Sequence, residues 1–230
     1  MNQTTKSTLI WTIAGLLIAV AIIAAAILSN RTPSDPSTPP NDTEETLTPA
    51  VSDQDWTKGT DSPVVTLVEY SDLQCPACAN ASAIVDELLK EFSNHMQFVY
   101  RHYPLRSIHP NAQLAGQAAE AAGKQGKFWE MHDLLFASQS SWSSLASQAA
   151  ADAFVGYATE LGLDTAVFEE DMKSREVEQI VNAQYDSAQK MGLSGTPTFF
   201  LNGEIMRNPG TLEGFRAEIR NAINNAQQNN

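Results

Sequence analysis

The chain contains very little cysteine: Cys75 and Cys78 are its only two cysteines in 230 residues. No second CxxC motif and no closely spaced histidine pair is present, so the four protein ligands usual for a structural zinc site are lacking. There is also no second cysteine pair to which electrons could pass within the chain. Any redox cycle at Cys75 and Cys78 therefore depends on another molecule for regeneration.

Positive charge is scarce as well. The 14 Lys and Arg residues are outnumbered by 27 Asp and Glu residues, which leaves a formal net charge of −13. This balance argues against nucleic-acid binding, which calls for a basic patch. Acidity is suited to keeping an exported domain soluble and indicates little about the substrate. A hydrophobic fraction of 43% is enough for one well-buried domain with further segments at its ends.

Only one long apolar run is present. Residues 9–28 carry no charge and are long enough to cross the roughly 30 Å hydrocarbon layer as a helix. We predict a single-pass membrane anchor, with residues 1–8 as a short cytoplasmic tail and the catalytic part outside the cytoplasm. A cleaved signal peptide is the alternative, since Ala24–Ala26 offers small residues, although the run exceeds the usual core of roughly 7–15 residues. Either location lets disulfides persist.

The next segment, residues 29–55, is rich in Pro, Ser, Thr and acidic residues and poor in large apolar ones. Such a composition cannot bury a core and predicts a flexible linker that holds the domain off the membrane. The folded part is expected to span residues 56–225, followed by a disordered tail at 226–230.

Patterns within the folded part predict an α/β fold of the order βαβ, helical insert, ββα. Val64–Val68 is a continuous β-branched, apolar run typical of a buried strand, and helical spacing follows it. Asn202-Gly203 predicts a hairpin turn. The predicted strands are Val64–Tyr70, Met96–Tyr103, Thr198–Leu201 and Glu204–Met206; the predicted helices are 76–92 and 212–224, with an inserted helical subdomain at about 108–191 that has amphipathic segments at 113–124, 127–137, 148–161 and 175–191.

The Cys75-Pro76-Ala77-Cys78 motif lies where the first predicted strand gives way to a helix. Proline suits the first helical position, so Cys75 falls at the N-cap and Cys78 about one turn further on. The free N–H groups and the positive end of the helix dipole stabilise a thiolate there. We predict that Cys75, the more exposed thiol, forms a mixed disulfide with a substrate and that Cys78 resolves it. An inert structural disulfide and a metal site are the alternatives.

Glu69 interrupts the apolar strand six residues before Cys75. An ionised carboxylate buried there is costly, so its pKa should rise, and the group could carry protons to or from Cys78. The alternative is a carboxylate that reaches solvent at the end of the strand.

Four features together resemble the DsbA-like thiol-disulfide oxidoreductases of the thioredoxin superfamily. They are residues 59–64 (GTDSPV), residues 69–78 (EYSDLQCPAC), the helical insert, and residues 195–200 (GTPTFF). The resemblance spans residues 56–225. It implies a thioredoxin fold with a helical insertion, Cys75 as nucleophile, Cys78 as resolving thiol, an acid at Glu69, and Pro197 as a cis-proline facing the thiols.

The proline also has a physical basis, because only X–Pro bonds commonly accept the cis form. A cis bond at Pro197 would expose the backbone of Thr196 beside the thiols, where a substrate segment could pair with it as a strand does. From the residues alone, a trans loop proline is the alternative. Pro76, Ala77, Thr196 and Pro197 are the expected substrate-contacting residues.

The dipeptide between the cysteines limits the expected oxidising power. Strong oxidants of the resembled group carry a histidine where this chain has Ala77. A helix dipole supplies about 0.3–2 kcal/mol, at most roughly one and a half pKa units. We therefore expect the pKa of Cys75 to be only moderately lowered.

The predicted function is a membrane-anchored, extracytoplasmic oxidoreductase that introduces disulfide bonds into exported proteins. No cofactor is expected beyond the redox-active cysteine pair, and no resident metal. The resemblance implies a quinone-linked membrane partner that reoxidises the pair. The alternatives are a disulfide reductase or isomerase supplied by a membrane electron donor, and a thiol-based metal carrier or folding module without turnover.

Overall fold

The computed structural model describes residues 48–228. Within that range no helix combines the length and the apolar character needed to span a bilayer. The predicted cytoplasmic tail at 1–8, the predicted anchor at 9–28 and most of the predicted linker at 29–55 lie outside the described residues.

The described residues form five strands and eight helices. In chain order they are β1 (Trp56–Gly59), β2 (Val65–Ser71), α1 (Pro76–Glu91), β3 (Met96–His102), α2 (Ala112–Lys124), α3 (Phe128–Ala137), α4 (Gln139–Trp142), α5 (Ser147–Glu160), α6 (Thr165–Met172), α7 (Arg175–Lys190), β4 (Thr198–Leu201), β5 (Glu204–Met206) and α8 (Leu212–Gln228).

The strands form one mixed sheet in the order β1-β3-β2-β4-β5. β2 and β3 are parallel, as strands joined by a helical crossover must be, and the other three pairings are antiparallel. β2 is the central strand: Glu69 lies opposite Tyr100 of β3 on one side and Phe199 of β4 on the other. The predicted α/β fold with a helical insert between β3 and β4 is therefore confirmed.

The sheet is buried on both faces because successive side chains of each strand point to opposite sides. On one face Leu67, Phe98 and Phe199 join the larger core, which includes residues of α1 and α8. On the other face Val68 and Phe200 belong to a smaller cluster that includes residues of α7. Full burial of such side chains contributes about 1.5–3 kcal/mol each, so both faces fix the central strand.

Several predicted boundaries were wrong. β1 was not predicted, and the helical insert contains two helices, α4 and α6, beyond the four expected segments. β2 begins and ends one residue later than predicted. Val64 lies just outside the ladder and donates its N–H to the His95 carbonyl, and the ladder continues at the other end to the pair of Ser71 and His102. α8 continues to Gln228, so part of the tail predicted as disordered is helical.

The end of the predicted linker is tied to the domain by a buried cation. Arg101 of β3 donates to both carboxylate oxygens of Asp55, at 2.7 and 2.9 Å, and to the carbonyls of Pro49 and Ala50. The Arg101 and Asp55 side chains are each only 6% exposed. Residues 48–55 therefore pack as part of the folded domain, since this ion pair and the backbone contacts hold them against β3.

Candidate active site

The two cysteines lie at the start of α1, directly beyond the end of the central strand. Cys75 occupies the N-cap with extended backbone angles (φ −78°, ψ 122°), and Pro76 is at the first helical position, as predicted. The Cys75 carbonyl accepts hydrogen bonds from the N–H groups of Cys78 (3.1 Å) and Ala79 (3.2 Å). Both thiols are free; Cys75 is 7% exposed and Cys78 is fully buried. Pro76 and Ala77 are exposed beside them.

The surroundings of Cys75 favour its thiolate. A hydrogen bond from the Cys78 thiol, together with the N–H groups of Cys78 and Ala77 at the helix start, lowers the pKa of Cys75 from 9.0 to about 5. This shift is larger than the moderate lowering expected from the helix dipole. The expectation was too small because it left out the second thiol, whose S–H donates directly to the developing anion.

Cys78 has the opposite character. Its burial raises its pKa well above the ordinary value, and the hydrogen bond to Cys75 and the charge of Glu69 act in the same direction. The N–H of Asp72 lies 3.5 Å from the Cys78 sulfur. The pair therefore divides into an acidic, outer nucleophile and a buried thiol that holds its proton.

Glu69 is buried behind the thiols, on the same central strand. Its residue is 2% exposed, so the alternative in which its carboxylate reaches solvent is wrong. Burial raises the pKa of Glu69 from 4.5 to about 8, partly offset by the Ser71 hydroxyl, which donates to Oε1 at 2.6 Å. A carboxyl group with this pKa is able to exchange a proton near neutral pH.

The loop before β4 completes the site. The Thr196–Pro197 peptide bond is cis. The Thr196 carbonyl accepts a hydrogen bond from the Cys75 thiol at 3.6 Å, and hydrogen bonding from the Thr196 side chain contributes to the lowered pKa of Cys75. The structure thus brings the predicted residues Cys75, Cys78 and Thr196 into one site.

Sequence reasoning missed the polar contacts that hold the thiol loop against the helical insert. Gln139 donates its side-chain amide to the carbonyls of Leu73 (2.8 Å) and Cys75 (3.1 Å). The Gln74 side-chain amide donates its Nε2 hydrogen to the Ser143 carbonyl at 2.7 Å, and its Oε1 accepts from the Asn111 N–H at 2.7 Å. The insert therefore positions the N-cap cysteine through its backbone.

Residues 48–228 contain no group of three or more His, Cys, Asp or Glu side chains arranged to hold a metal ion. The site consists of two sulfurs of unequal acidity and a buried carboxyl group. Such a pair accepts two electrons when its disulfide breaks and donates two electrons when the disulfide forms.

Comparison with known proteins also indicates a thioredoxin-like protein. A family model described as Thioredoxin matches residues 52–221. A thioredoxin-like oxidoreductase from Silicibacter pomeroyi is 29% identical, with a TM-score of 0.61, covering 77% of this chain and 94% of that one. Two further structures share the fold. Oxidised BdbD from Bacillus subtilis is 22% identical, with a TM-score of 0.66, covering 74% of this chain and 94% of that one. α-DsbA1 from Wolbachia pipientis is 20% identical, with a TM-score of 0.69, covering 80% of this chain and 98% of that one.

Curated relatives carry a different name. Two of them are called Na(+)/H(+) antiporter NhaA. The protein from Salinispora arenicola is 41% identical over 77% of this chain. The protein from Salinispora tropica is 39% identical over 79% of this chain. The chain spans about a quarter of their length, 26% in each case.

The mixed five-stranded sheet, the two cysteines at a helix start and the cis-proline beside them give this chain the thioredoxin-like fold that the sequence features predicted. With the family model matching 170 of its 230 residues, the chain belongs to the thioredoxin family.

Proposed function

We propose that this chain introduces disulfide bonds into exported proteins by dithiol-disulfide exchange. The observation that carries the proposal is the lowered pKa of Cys75, about 5 instead of 9.0. An ionised Cys75 stabilises the reduced form of the pair, so the oxidised form gives up its disulfide more readily. At pH 7 the thiol is about two pH units above this pKa, so its ionisation stabilises the reduced form by roughly 3 kcal/mol. This free energy corresponds to about 60 mV in the reduction potential of the two-electron couple.

Exchange starts from the oxidised pair. A substrate thiolate attacks the Cys75 sulfur; the Cys75–Cys78 bond breaks as the mixed disulfide forms, and Cys78 leaves as a thiolate that takes a proton from Glu69. A second substrate thiolate then attacks the substrate sulfur of the mixed disulfide, and Cys75 leaves as a stable thiolate. The substrate has lost two electrons and the pair has gained them.

Substrate binding is proposed at the surface around the thiols. Pro76 and Ala77 are exposed next to Cys75, and Thr196 and Pro197 lie across from it. A substrate segment would pair with the Thr196 backbone as an added strand, which gives affinity without demanding one sequence.

The chain is further proposed to act outside the cytoplasm, anchored by residues 9–28, with a quinone-linked membrane partner that reoxidises the pair. The uncharged run supports the anchor, and the requirement for an external oxidant follows from the presence of only two cysteines. Protease treatment of intact cells should digest the catalytic part and spare residues 1–28. A catalytic part protected until the membrane is opened would contradict this placement.

The decisive experiment is the reduction potential of the full-length protein, equilibrated in glutathione buffers and read by thiol alkylation. A reduction potential more oxidising than that of the glutathione pool supports a disulfide donor. The measurement discriminates well, since a difference of 30 mV is about 1.4 kcal/mol for a two-electron couple. A strongly reducing value would instead indicate a reductase. Oxidation of a reduced, unfolded test protein by catalytic amounts of the oxidised chain, with Cys75→Ser as control, would exclude a stoichiometric carrier.

A further inference from the structure

A buried acid lies beside the thiols and belongs to neither the exchange nor the proton transfer described above. The side chain of Asp72 has no exposed surface. Its Oδ1 accepts the Gln74 N–H at 2.7 Å, and its Oδ2 accepts the Leu105 N–H at 2.8 Å and the His109 Nδ1 at 2.7 Å. Since an ionised carboxylate only accepts hydrogen bonds, Nδ1 of His109 carries the proton.

Asp72 contacts both cysteines through its backbone. Its N–H lies 3.5 Å from the Cys78 sulfur, and its carbonyl accepts the Cys75 N–H at 3.0 Å. These contacts are made by the backbone of Asp72, which places its side chain in the same loop as the thiols. An ionised carboxylate in that loop disfavours a second negative charge nearby, and burial strengthens the repulsion because solvent does not screen it. The thiolate of Cys75 is nevertheless favoured, so the charge of Asp72 requires compensation.

His109 is placed to supply that compensation. Among residues 48–228 it is the one side chain that donates to the Asp72 carboxylate, the other two donors being backbone N–H groups. Its side chain is 16% exposed, so the ring reaches the surface while Nδ1 contacts the Asp72 carboxylate. Arg106, in the same loop, is exposed, and its guanidinium donates to Gln113 and Asn182. The buried groups Glu69 and Tyr100 bring no positive charge.

We propose that His109 is a positioning residue for the thiol pair: as an imidazolium it pairs with Asp72, so that the Cys75 thiolate forms beside a neutral pair instead of beside a second anion. A histidine from the loop after β3 thus provides the positive charge that the Pro76-Ala77 dipeptide lacks. This inference rests on the proposed exchange chemistry at Cys75, whichever direction electrons flow.

The test is a titration of Cys75 by thiolate absorbance in the reduced full-length protein. His109→Asn keeps a hydrogen-bond donor near the position of Nδ1 but cannot be charged, and it should raise the midpoint by about one pH unit. Asp72→Asn, which removes the negative charge and leaves His109, should lower the midpoint. The double variant removes both charges and should return close to the wild-type midpoint.

These outcomes separate charge compensation from a merely structural contact. An unchanged Cys75 midpoint in His109→Asn would overturn the proposal. An equal rise of the midpoint in His109→Asn and in the double variant would also overturn it, since such a rise would come from altered packing. Asp72→Asn provides an independent reading if His109→Asn folds poorly. The titration uses no substrate, so its result stands apart from the reduction potential of the wild-type protein, which alone decides the proposed function.

Discussion

Replacing Glu69 by glutamine should change how the stability of the reduced protein depends on pH. Burial raises the pKa of this carboxyl group from 4.5 to about 8, so the folded protein keeps a proton that the unfolded chain loses. The stability from this group is complete below about pH 4.5 and is lost as the pH rises through about 8. At about 1.4 kcal/mol per pKa unit, the full loss is roughly 5 kcal/mol as an upper bound.

Cys75 acts in the opposite direction over the same window. Its pKa is lowered from 9.0 to about 5 on folding, so its stabilising effect grows as the pH rises from about 5 toward 9. In the wild-type protein the two slopes oppose each other and the free energy of unfolding should change little between about pH 5 and 8. Glu69→Gln retains only the Cys75 contribution, so its stability should rise with pH, by up to about 1.4 kcal/mol per unit.

Urea unfolding of the reduced full-length protein at several pH values would measure this difference. Glu160→Gln, an exposed carboxylate at the end of α5, serves as the matched control and should follow the wild-type profile. Parallel profiles for wild type and Glu69→Gln would refute the buried, protonated carboxyl group. The same variant should slow formation of the mixed disulfide, the step in which Glu69 gives its proton to the departing Cys78, and unchanged exchange rates across pH would remove the proton-transfer role of Glu69.

Three further predictions follow from the geometry of the site and of the domain boundary. Thiolate absorbance should titrate with a midpoint of about 5 for Cys75, and a midpoint near the ordinary 9.0 would contradict the hydrogen bond from Cys78. Cys75→Ser should abolish turnover and Cys78→Ser should accumulate mixed disulfides on non-reducing gels; normal turnover in either variant would exclude the two-thiol mechanism. Asp55→Ala leaves the buried Arg101 unpaired and should lower the free energy of unfolding by roughly 3–5 kcal/mol, whereas the exposed Asp61→Ala should change it little.

Elements with a strong local pattern could be predicted from the sequence, and those that depend on distant partners could not. The apolar run at Val64–Val68 led directly to the central strand. β1, at Trp56–Gly59, has only four residues and forms a strand because it pairs with β3 about forty residues later. α6 did have a local signal: Asp164 caps it by accepting the N–H groups of Ala166 and Val167.

The same division applies to the site. Cys75, Cys78 and Glu69 lie within ten residues of one another, so the spacing along one strand and one helix start predicts their meeting. The Asp72–His109 contact joins residues 37 positions apart, each of them in an irregular loop. No spacing rule connects such residues, and only the packing of the loop after β3 onto the thiol loop places them together.

The acidity of Cys75 shows why a dipeptide alone is an incomplete guide to redox behaviour. Ala77 contributes an N–H group but no charge, which led to the expectation of a modest shift. The larger shift arises because the two sulfurs are coupled: Cys78 is kept protonated mainly by burial, and a protonated Cys78 is the donor that stabilises the Cys75 thiolate. The acidity of the exposed thiol therefore depends on the buried one, and the chemistry of this site is determined by the buried groups as much as by the exposed motif.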